Sequence, residues 1–173
     1  MKSIGDLDLS SFWQDSDFAR REYQDKTLTE ETLAKVQAEL GYALPTAYVD
    51  LCCNRNGGAP RNTRHAVPTP TSWADDHVAI ASIKGIGFGK WSLCGGFGQR
   101  HLLTEWEYPP IGVYFGDCPS AGHDALCLDY RTLNADGEPC VVHVDQDYDF
   151  RVTHVAASFA EFLQGLKPAD AFT

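Results

Sequence analysis

Apolar residues fall at helical spacing in the first third of the chain and in short runs between turn residues in the rest. Thr29 is a good N-cap, and Glu30 and Glu31 put negative charge where a helix dipole favours it. Leu33, Val36 and Leu40 then form one stripe, and Gly41 can take the left-handed conformation that ends a helix. Leu44-Pro45 restarts the chain with φ already set for a first turn, and Tyr48, Leu51 and Cys52 make the next stripe. The stretch Asn54-Arg55-Asn56-Gly57-Gly58 has no apolar period and accepts unusual dihedrals, so the second helix stops there.

Residues 78–83, 111–115, 125–130, 140–144 and 150–154 read as strands. The turn-rich segments 117–122 and 134–137 are short links, which favours antiparallel neighbours. Ser158-Phe159-Ala160-Glu161 is a capping box, opening a last helix whose Phe159, Phe162 and Leu163 should pack on the sheet. Residues 57–72, with Pro60, Pro68 and Pro70, read as a loop. Gly85-Ile86-Gly87-Phe88-Gly89 and Gly95-Gly96-Phe97-Gly98 have no clear helix after them and no G-K-[ST], so they read as turns and not as phosphate loops. The expected fold is α+β: a mainly antiparallel central sheet, a helical N-terminal third and a C-terminal helix packed on the sheet, as one domain over residues 1–173.

Composition supports a packed core, with 43% hydrophobic and 12% aromatic residues in 173. A chain of that length buries roughly 70% of its unfolded surface. There is no long apolar run and no apolar segment at Met1-Lys2-Ser3-Ile4, so no membrane association and a cytoplasmic location are expected. Cys52 and Cys53 are adjacent while Cys94, Cys118, Cys127 and Cys140 stand alone, without C-x2-C spacing. They read as small core hydrophobes, and no cofactor is expected.

Charge changes the picture more. The chain has 24 acidic and 14 basic residues, and residues 101–150 hold ten acids against Arg131 alone. Such a field repels phosphate backbones, which argues against nucleic acid despite four tryptophans, and attracts a basic protein. The expected partner-binding acidic surface comprises Glu105, Glu107, Asp145, Asp147 and Asp149. The last three alternate at a spacing of two, so an extended chain would project them from one face. The calcium pattern D-x-[DN]-x-[DN]-G starts there and fails at Phe150.

Asp117, Ser120, His123, Asp124 and Asp129 are the candidates for chemistry, as a metal set or as a hydrolase triad. Nothing like G-x-S-x-G surrounds Ser120, and Asp, Ser and Gly in a tight loop commonly bond the local backbone, so structural loop chemistry is favoured.

Several motifs occur in a telling order. They are Phe12-Trp13-x-Asp15-Ser16, Leu40-Gly41-Tyr42-x-Leu44-Pro45, Asn56-Gly57-Gly58, Glu105-Trp106-x-Tyr108-Pro109 and Pro119-Ser120-Ala121-Gly122-His123-Asp124. Leu128-Asp129-Tyr130, Gly137-Glu138-Pro139-x-Val141-Val142 and Ser158-Phe159-x-Glu161-Phe162 follow. Together they resemble the SUKH superfamily, in the branch named for a fungal cell-wall synthesis regulator, over roughly residues 12 to 166. The resemblance implies an α+β protein-binding module with no catalytic residues. It also implies a bacterial immunity protein that neutralises a polymorphic toxin, such as a basic nuclease. A regulatory scaffold without a toxin is the alternative, and a metal-dependent hydrolase using the loop from Asp117 to Asp129 is the rival from another class.

Overall fold

A computed structural model describes residues 3–172. Three helices open the chain: α1 (Asp17–Tyr23), α2 (Glu30–Leu40) and α3 (Thr46–Asn54). The Thr29 hydroxyl accepts from Thr32 N at 3.1 Å, and Gly41 ends α2 at φ +79°. Pro45 caps α3, whose Tyr48 and Leu51 are fully buried. Helix α1, capped by Ser16, is too short for an apolar stripe to announce it.

Asn56-Gly57-Gly58 is a clamp between this helical part and the sheet. The Asn56 amide donates to Lys26 O and Ile86 O, and its Oδ1 accepts from Ile86 N at 2.7 Å. Gly57 has φ +94°, and a Cβ there would lie 2.4 Å from Tyr23 O. Only glycine fits, because any side chain is strained at that φ and collides with backbone.

Strand β1 (Arg64–Ala66) pairs with β2 (His77–Ala79), and β3 (Ser82–Ile83) begins a separate five-stranded sheet. The other strands are β4 (Gly112–Asp117), β5 (Asp124–Leu133), β6 (Pro139–Asp145) and β7 (Arg151–Ala156), antiparallel in chain order. Two expectations need correction here. The run 78–83 is divided between two sheets, since Ile80 N donates to Thr63 O while Ala81 N donates to Asp117 O. Both pieces are buried, so the apolar run carries no mark of the division. The segment read as a loop contains β1, which is held through pairing with β2 and not by any alternation of its own.

Helix α4 (Gln99–Thr104) follows Gly98 directly, where no helix was expected. Its six residues are too few to show a period. A Cβ on Gly95 would lie 1.6 Å from Gly89 O, so this Gly-rich segment permits two loops to touch. Helix α5 (Phe159–Gly165) has the expected cap, with Ser158 Oγ accepting from Glu161 N at 3.2 Å.

Both sheet faces are covered, which is why the strands read as apolar runs. Val113, Phe115, Leu126, Leu128 and Val141 join Tyr48, Phe159 and Phe162 from α3 and α5. Tyr114, Ala125, Cys127, Val142 and Val144 face the other way, with Leu102 of α4. No helix among the described residues is long and apolar enough to cross a membrane.

Candidate functional site

A cleft of about 410 Å³ opens where the end of α1, the Gly-rich loop, α4 and the β4–β5 loop meet. Its walls are Tyr23, Trp91, Phe97, His101 and Trp106, with Asp117 at its base. The aromatic rings brace one another. Trp91 stacks on Phe97 at 4.7 Å, Tyr23 meets Trp91 edge-on, and Trp106 Nε1 donates to His101 Nε2 at 3.0 Å. Phe97 remains 38% exposed, so the wall offers apolar area to an incoming group.

The base is pinned by a buried lysine. Lys84 Nζ donates to Asp117 Oδ2 at 2.9 Å and to Phe97 O at 3.0 Å, and Ser82 Oγ donates to the same carboxylate oxygen. This ties the Gly-rich loop to β3 and β4. Burial, then the Asp117 charge, pushes the Tyr23 phenol up, so it stays a neutral wall. Tyr23, Trp91, Phe97, His101 and Lys84 share no spacing that marks them in the sequence as a group. The one signal was Lys84 itself, a charged residue set between Ile83 and Ile86 in an apolar run.

The five residues weighed for chemistry are not gathered. Asp117 is held by Lys84, His123 Nδ1 lies 2.9 Å from Asp147, and Asp129 is bonded by Arg131. Ser120 Oγ accepts from Asp124 N at 3.1 Å, which is backbone capping and not nucleophile activation. His143 Nε2 lies 2.6 Å from Asp124 Oδ2 in the interior. Cys118 is buried there too, and burial, then the Asp124 and Asp117 charges, holds its thiol well above the ordinary range. A neutral thiol is a poor nucleophile.

The proposed acidic surface is redistributed. Glu105 and Glu107 are exposed on either side of Trp106. Asp147 is exposed and joins them through His123, whose ring lies 6.4 Å from that of Trp106. Asp149 is exposed in the β6–β7 turn at φ 58°. Asp145 must be removed from the set: it is fully buried, and its two oxygens accept from Ser72 N at 2.8 Å and Ser72 Oγ at 2.7 Å. The segment is not extended either, because Gln146–Tyr148 is a 3-10 turn.

No curated protein matches the chain. The family described as SMI1-KNR4 cell-wall, SUKH_6, matches residues 30–163, from the first residue of α2 into α5. That family suggests a non-catalytic protein-interaction module, in keeping with a cleft that has aromatic walls. With the α2–α3 pair, the Asn56-Gly57-Gly58 clamp, the β4–β5 loop and the capped last helix all inside or beside the matched region, the chain belongs to the SUKH family in its SMI1-KNR4 cell-wall branch.

Proposed function

We propose that the chain binds a basic protein stoichiometrically, as an immunity protein that covers the active site or substrate groove of a toxin. The supporting observation is the aromatic cleft beside exposed Glu105, Glu107 and, through His123, Asp147. Aromatic walls that lose water on contact anchor a complex, while a carboxylate rim raises the encounter rate with a cationic surface. A nuclease groove, positive because it must hold phosphates, is a suitable occupant.

The partner is sought as the product of a toxin-like reading frame beside this gene, and association is measured by stopped flow at low and high salt. Replacing Glu105, Glu107 and Asp147 together by Lys is expected to slow association about tenfold or more at low salt, with the wild-type rate itself falling as salt rises. Phe97→Ala should instead speed dissociation and leave association nearly unchanged. Rates indifferent to salt, to the charge reversal and to Phe97→Ala would remove this surface from the function. Binding without loss of toxicity would replace the immunity role with that of a regulatory scaffold.

A further inference from the structure

Asp124 and His143 come from the neighbouring strands β5 and β6, and Cys118 follows directly after β4. Asp117 pairs with Ala125, which puts Cys118 beside Asp124, and Asp124 pairs with Asp145, which puts His143 diagonally across. Asp124 and His143 share the sheet face of Leu126, Leu128 and Val141, and all three cluster residues are buried. One donor atom from each lies within 4.8 Å of the others.

This cluster is not satisfied by hydrogen bonds alone. Asp124 Oδ1 and His143 Nδ1 are both buried, and neither has a hydrogen-bond partner among the described residues. Buried polar atoms are nearly always paired, so the Asp124 oxygen left over from the His143 contact points to a further group, while His143 Nδ1 is a separate orphan on the far side of the ring. A thiol, an imidazole and a carboxylate together form the donor set of a borderline-soft ion, whereas calcium and magnesium take oxygen throughout. The geometry points to a zinc site formed by Cys118, Asp124 and His143.

Zinc would have three protein ligands, with the fourth position open to water. The entry path is the cleft, since Cys118 lines it. Tetrahedral ligands are separated by about 3.3–3.8 Å at zinc bond lengths, so the widest donor pair must close and the His143–Asp124 contact must open, by side-chain rotation. On binding, the Cys118 S–H bond breaks, its proton passes to solvent and an S–Zn bond forms, with no change of oxidation state. The two anionic ligands then balance the ion. Neighbouring carboxylates are already engaged, Asp117 by Lys84 and Asp145 by Ser72.

The test uses the full chain carrying Cys53→Ala, which removes the exposed thiol as a source of adventitious binding. After chelator treatment and dialysis the protein is titrated with Zn2+ against a chromophoric chelator, and separately with Co2+. About one equivalent should bind, with a rise in Tm and, for Co2+, a thiolate charge-transfer band. Cys118→Ser should lose the band and weaken zinc binding by about tenfold or more, while Cys127→Ala, a buried thiol elsewhere in the sheet, should keep both. A folded parent protein that retains no zinc and gives no band with Co2+ overturns the site, whether or not Cys118→Ser folds. Equal zinc affinity in folded Cys118→Ser and the parent does the same.

Discussion

Two His–Asp pairs, His143 with Asp124 and His123 with Asp147, interleave in the chain at the adjoining ends of β5 and β6. His123 precedes Asp124, and Asp145 lies between His143 and Asp147. Their separations are close, 2.6 and 2.9 Å, yet the side chains are 0% and 1% exposed in the first pair and 54% and 53% in the second. The cause is where each pair sits: Asp124 and His143 lie within β5 and β6 on the face packed under α3 and α5, while His123 lies in the β4–β5 loop and Asp147 in the 3-10 turn after β6. Chemistry that is identical on paper is therefore structural inside and interactive outside. The inner pair competes with no water, and the outer pair can be exchanged for a partner's charge at little cost.

The widest break in this comparison comes from His143→Ala, measured by urea unfolding in chelator so that no metal contributes. Removing one member leaves the Asp124 carboxylate buried without compensation, and the loss should be about 3–5 kcal/mol. A loss no greater than that of a surface substitution would mean that water reaches the pair. Asp129 and Arg131 sharpen the comparison from the middle, with side chains 9% and 55% exposed. Burial pushes Asp129 up, but the side-chain and amide bonds from Arg131 outweigh it and leave the carboxyl below its usual range. Arg131→Ala should cost about 1 kcal/mol near neutral pH. A depressed folded pKa gives stability that is present above the unfolded value and lost as pH falls through the folded one. The gap between wild type and Arg131→Ala should therefore close below about pH 4. A gap that stays constant into acid would assign the effect to packing of the arginine stem. His123→Ala is the smallest change, under about 1 kcal/mol, and a double-mutant cycle with Asp147→Ala should return a coupling of similar size. A coupling that matches the inner pair would erase the distinction between them.

The sequence announced elements that carry their own punctuation. Thr29, Gly41 and Ser158 cap or end helices through contacts a few residues away, and the four long strands stand out as apolar runs between turn residues. It did not announce β1, whose Arg64-His65-Ala66 is a strand only because β2 lies beside it, nor α4, which is too short to have a stripe. The cleft was hidden for a related reason. Its walls run from Tyr23 to Trp106 in the chain, and no spacing rule joins residues so far apart.

Asp145 and Asp147 mark the limit most sharply. Both sit in a polar run, Asp145-Gln146-Asp147-Tyr148-Asp149, whose spacing treats them alike. What separates them is Ser72, which is 73 positions away and supplies an amide and a hydroxyl to Asp145 alone. The sequence by itself determined the family motifs, the order of most elements, the apolar runs that become the long strands and the excess of negative charge. Only the tertiary structure decided which carboxylates meet solvent and which rings form one wall, because desolvation of a charged or aromatic group depends on partners brought in by folding and not on its neighbours in the chain.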